Sequence, residues 1–98
     1  MIVTYSPATG TRLDEAEDFR KFKVLLQNCP TAQPEIRGIG FVDDGNALVG
    51  IDLVPTLPGA PKGPEWRAGY DAMVKAAAKY GWIDEASQSI KAHVERQP

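Results

Sequence analysis

Ile36-Arg-Gly-Ile-Gly-Phe-Val-Asp-Asp-Gly-Asn-Ala-Leu-Val-Gly-Ile-Asp-Leu-Val54 holds two β-rich runs joined by an Asp-Gly turn, with glycine inside both runs. Asp43-Asp-Gly-Asn46 suits a tight reversal, because Asp and Gly tolerate the positive φ angles that such turns require. Pairing Asp43 with Asn46 sets a register in which Phe41 opposes Leu48, Ile39 opposes Gly50, and Arg37 opposes Asp52 as a cross-strand ion pair. Gly38, Gly40, Val42, Ala47, Val49 and Ile51 then share the other face. A strand glycine costs roughly 0.5–1 kcal/mol relative to Ala, so Gly38, Gly40 and Gly50 predict close approach of a ring or helix from the same chain.

Working outward, Ile2 to Tyr5 is a short β-branched and aromatic run closed by Ser6-Pro7, which predicts a first strand. Thr11-Arg-Leu-Asp14 resembles a capping box, and Leu13, Ala16, Phe19, Phe22, Leu25 and Leu26 recur at helical spacing. A helix is therefore expected from about Arg12 to Gln27, with Glu17 and Lys21 as a favourable i,i+4 pair. Asn28 to Pro34 carries two prolines and reads as a connector.

Pro55 to Pro64 contains four prolines and two glycines, too stiff and donor-poor for a central strand. Pro64 suits a first helical position, and Trp66, Tyr70, Met73, Ala77 and Tyr80 form an aromatic-rich stripe before Gly81 closes the helix. Asp84 is a good N-cap, with Ile83, Ala86, Ile90 and Val94 marking a further helix toward the C-terminus.

The order strand, helix, hairpin, helix, helix predicts one α+β domain over residues 1–98. This is a two-layer sandwich whose small, mostly antiparallel sheet carries helices on one face (β-α-β-β-α-α). The first four elements match the opening of a β-α-β-β-α-β arrangement, with a helix expected in place of its last strand. Ninety-eight residues with 43% hydrophobic content are about enough for a single core.

A net charge of −2, with both signs mixed along the chain, argues against nucleic acid and anionic membrane as partners. The lone Cys29 has no internal disulfide partner, and Met-Ile-Val-Thr-Tyr lacks the basic start and long apolar run of a secretory signal. The chain thus reads as cytoplasmic, of bacterial or phage type.

No chemical motif survives inspection. Gly38-Ile-Gly40 lacks the third glycine and following helix of a dinucleotide loop. Asp43, Asp44, Asn46 and Asp52 lack EF-hand spacing. Lys62-Gly63-Pro64 offers at most a weak anion site at a helix start. Cys29 lies before a proline in a connector and His93 on the expected terminal helix among Lys91, Glu95 and Arg96, so a nucleophilic pair would need the two to meet in space and is not expected. No catalytic residue, metal or cofactor is expected.

The remaining signal is aromatic. Trp and Tyr concentrate binding energy at interfaces, and Trp82 adds a large ring beside the stripe that a small sheet has difficulty covering. Trp66 and Arg67 are the first interface candidates, followed by Tyr70, provided that these rings are exposed. The leading expectation is a non-catalytic interaction domain that binds another protein, or a second copy of itself, through its sheet face or aromatic helix. The alternative is a small-molecule pocket between hairpin and helices, lined by Phe41, Trp66 and Tyr70 and polarised by Arg37 or Asp52.

Overall fold

The structure, a computed structural model, describes residues Met1 to Gln97. Chain order is β1 (Ile2–Ser6), β2 (Gly10–Asp14), β3 (Lys23–Gln27), β4 (Ile39–Asp43), β5 (Asn46–Gly50), α1 (Pro64–Lys79), β6 (Ile83–Asp84) and β7 (Ser89–Gln97). The strands form one mixed sheet in the order β2-β1-β3-β7-β5-β4, with β6 also paired to β7. β1 and β7 both run parallel to β3, and the remaining pairings are antiparallel.

The expected sandwich with several helices is therefore corrected to a mostly β fold with a single α-helix among the described residues, besides one 3-10 turn at Val54–Thr56. Where a helix was expected over Arg12–Gln27 there are two strands and a loop. Pro7-Ala-Thr-Gly10 turns the chain back, with Gly10 at φ +81°, so that Leu13 pairs with Val3. Glu15 at φ +48° then interrupts the backbone. Val24 and Leu26 are fully covered between β1 and β7, and this burial overrides the local helical spacing.

The expected C-terminal helix is likewise a β6–β7 hairpin. Asp84 does act as a cap, but for a turn: its carboxylate accepts from the Ser87 backbone N–H and from the Ser87 hydroxyl. Beyond it Ile90, Ala92 and Val94 are buried while Lys91 and His93 are exposed, the period of a strand.

The β4–β5 hairpin keeps the Asp43–Asn46 pair, but its inner register is corrected. An extra residue at Val42 bulges β4, so Phe41 pairs with Ala47, Gly40 with Leu48 and Ile39 with Val49. The one-residue shift moves Ile39, Phe41, Ala47 and Val49 onto one face. They join Val3, Leu13, Val24, Ile90 and Val94 in the core beneath α1.

The opposite face is polar and internally satisfied. Thr4 Oγ1 donates to Asp14 at 2.7 Å, and Arg12 Nε lies 3.0 Å from the same carboxylate. Arg12 also reaches Gln27, Gln27 reaches Gln97, and Lys23 bridges to Glu95 at 2.9 Å. These contacts link four adjacent strands.

Candidate functional site

β7 is the longest strand, and one of its edges is shared. β6 pairs with Ser89 and Ile90, whereas β3 takes over from His93 onward. At the seam the chain approaches twice, through Arg20 to Phe22 and through Gly81-Trp82. A groove of about 360 Å³ lies there, bounded by Met73, Ala76 and Ala77 of α1 and by Ile90 of β7.

The groove exists because α1 ends over this seam. Its last turn offers alanines, and Gly81 at φ +76° stops the helix and turns the chain toward β6. Tyr80 and Trp82 flank that stop and are 71% and 54% exposed; with Val42 they are the large apolar side chains most open to solvent. Their rings stack on one another at 5.1 Å with planes 28° apart. Their backbone is held firmly: Trp82 N–H donates to Ala77 O at 3.0 Å, and Trp82 O accepts from Lys91 N–H at 2.8 Å.

The facing wall comes from the loop between β2 and β3. The Met1 nitrogen donates to Asp18 O and Lys21 O at 2.7 and 2.9 Å, pinning the loop to the start of β1. Phe19 sits 6.4 Å from Trp66 and against the backbone of α1 at Gly69. Arg20, Lys21 and Lys91 line the same groove, and no carboxylate does. Asp18 lies just outside it, 3.5 Å from the Arg20 guanidinium; the hydrogen bond it accepts from the Arg20 backbone N–H holds its carboxyl below its ordinary range.

The residues singled out from sequence lie elsewhere. Trp66 and Tyr70 are core: they stack at 5.2 Å, Trp66 Nε1 donates to Ala16 O, and Tyr70 OH donates to Ile51 O, both at 2.7 Å. Burial raises the Tyr70 hydroxyl pKa. These rings fill the space between hairpin and helix that was expected to hold a pocket. Arg67 pairs with Asp71 at 3.1 Å and lies over the Tyr70 ring. Lys62 is exposed in the loop before α1, and Phe41 is half-buried against the core.

The expected Arg37–Asp52 ion pair is corrected: no such pair occurs among the described residues. Gly38 at φ +82° takes Arg37 out of the ladder, and a turn after Gly50 takes Asp52 out of it. The two line a shallow depression with Leu53 and Thr56.

The hairpin glycines also answer differently than expected. Gly38 and Gly50 crowd against Leu53 and each other, and Gly40 faces open space. The glycine that receives an aromatic ring is Gly69. Sequence reading missed the groove residues Arg20, Lys21 and Lys91 as site candidates. For Tyr80 and Trp82 the available signal was their placement on either side of a helix-stopping glycine.

Among the described residues no group of three or more His, Cys, Asp or Glu is placed to hold a metal, and no helix is long and apolar enough to cross a membrane. Comparison of the chain with protein-family models, with curated proteins and with solved structures finds no match.

Proposed function

We propose that this protein is a small non-catalytic interaction domain whose contact surface is the groove beside Tyr80 and Trp82. The observation that carries the reading is the stacked, exposed ring pair on a backbone fixed at both ends. Rigid aromatic side chains lose little conformational freedom on binding, so they supply contact area at low entropic cost. The polar sheet face offers no comparable anchor: its Thr4–Asp14–Arg12–Gln27 and Lys23–Glu95 groups are already bonded to one another.

A protein partner fits this surface better than a small ligand. Pockets for small molecules bury most of the ligand surface, whereas Tyr80 and Trp82 stand out from the molecule as a ledge. The test is site-specific photo-cross-linking in the native host, with p-benzoylphenylalanine at Tyr80 and, as control, at the exposed Ala72 on α1. The expected result is a one-to-one adduct with a defined protein from position 80 alone, abolished by Trp82→Ala. Absence of an adduct at position 80, or equal capture at position 72, rejects the reading.

A further inference from the structure

The groove has a charge character that the whole chain lacks. The protein carries 13 acidic and 11 basic residues, yet three cations and no carboxylate line this groove. Elsewhere on the surface Arg12 pairs with Asp14, Lys23 with Glu95 and Arg67 with Asp71, and Arg96 donates to the carbonyls of Ala32 and Asp44. Among the described residues, Lys21 and Lys91 have no carboxylate within salt-bridge distance, and Arg20 has only Asp18 at 3.5 Å. Like charges gathered beside exposed apolar surface cost folding energy, and an incoming anion relieves that cost.

We propose that the groove recognises an acidic segment of a partner protein that carries an aromatic or branched apolar residue. The apolar side chain lies against Phe19, Met73 and the edge of the Tyr80–Trp82 stack, while the flanking carboxylates meet Lys21 and Lys91. The assignment rests on the ledge being a protein-binding surface, and adds the chemistry of what it binds. Single-stranded nucleic acid fits less well: a base platform needs free ring faces, and here each ring spends one face on the other. The net charge of −2 also provides no basic track beyond the groove.

Blocked synthetic peptides test the chemistry: Ac-Asp-Glu-Phe-Glu-Leu-amide, its Asn/Gln counterpart, its Lys counterpart, and a thymidine decanucleotide as competitor. Binding is read from amide and indole NMR shifts. The acidic peptide should shift the Trp82 indole and bind roughly tenfold more tightly than the neutral one, the sum of a few exposed charge pairs. About 0.5 M NaCl should erase most of that advantage. Lys21→Gln with Lys91→Gln should remove it while leaving thermal stability unchanged or slightly raised, since the like-charge repulsion goes with the lysines.

Equal binding of acidic and neutral peptides at the ledge overturns the acidic assignment and leaves the protein-binding reading standing. Displacement by the decanucleotide, or shifts that map away from Trp82, also overturn it. Where the peptides give no shift, the segment cross-linked through position 80 decides by its sequence: acidic with an apolar residue supports the proposal, neutral or basic rejects it. A second copy of this chain as the adduct rejects it too. No adduct and no shift reject both readings together.

Discussion

Gly59 shows how one residue closes an edge of the sheet. β2 is an outermost strand, and its Leu13 N–H donates to Pro58 O at 2.7 Å, so the proline-rich loop covers part of that edge. Gly59 sits at φ +96°, and a Cβ there would collide with the Leu13 carbonyl oxygen, which is backbone and has nowhere to yield. Gly59→Ala should therefore destabilise the fold by at least about 1–3 kcal/mol. Gly40, at an ordinary φ with open space before it, provides the contrast: Gly40→Ala should be neutral or stabilising by about 0.5–1 kcal/mol. Urea unfolding of the two variants checks both signs. The same scale applies to Tyr70, whose hydroxyl donates to the Ile51 carbonyl at 2.7 Å. Tyr70→Phe removes that donor beneath α1 and should cost about 1–2 kcal/mol in the same measurement.

At the level of elements, α1 depends on a close approach that its sequence half reveals. Gly69 lies mid-helix, where Gly is disfavoured relative to Ala by about 1 kcal/mol. Its Cβ position is 2.6 Å from Phe19 Cε2, so the glycine is what lets the ring lie on the helix backbone. Gly69→Ala should destabilise the native chain, yet stabilise a Phe19→Ala background by about 0.5–1 kcal/mol, the helix propensity then acting unopposed. A thermal-denaturation cycle over the four proteins measures this, and a Gly69→Ala effect of the same sign and size in both backgrounds defeats the explanation. The hairpin turn and α1 were legible because Asp-Gly, an initial Pro64 and a closing Gly81 are local signals. β2, β3 and β7 were not, because spacings of three and four also arise when a strand, a loop and a second strand drop residues onto one core. β7 did carry its answer: Ile90, Ala92 and Val94 alternate with Lys91, His93 and Glu95, and that alternation outlasts the helical spacing from Ile83. The groove was less legible than the fold. Its cations come from a loop and from β7, far apart in sequence, and only the seam between β6 and β3 brings them together.

At the scale of the molecule, a single α-helix covers one face of the seven strands among the described residues, so the other face relies on its own polar contacts. That arrangement predicts how the protein meets acid. The Lys23 hydrogen bond lowers the pKa of Glu95 from its ordinary value of 4.5, joining β3 to β7. Hydrogen bonds from the Gly45 N–H and the Asn46 side chain lower Asp43 from 3.8 at the hairpin tip, and the Arg20 N–H does the same for Asp18 beside the groove. A carboxyl with a lower pKa folded than unfolded binds fewer protons folded, so the unfolded chain gains protons first as acid is added. The stabilisation is complete above the ordinary values and drains as pH falls through the folded ones. Asp43 is exposed and Asp18 and Glu95 are only half-buried, so each contribution is small, and their spread across sheet, hairpin and loop makes the loss gradual. Melting temperature should hold steady from neutral pH to about pH 5 and decline below about pH 4, with Glu95→Gln shallowing the decline. A fall beginning near pH 6 would overturn the assignment to these carboxylates, and a flat profile down to pH 2 would show that these contacts contribute nothing to the fold.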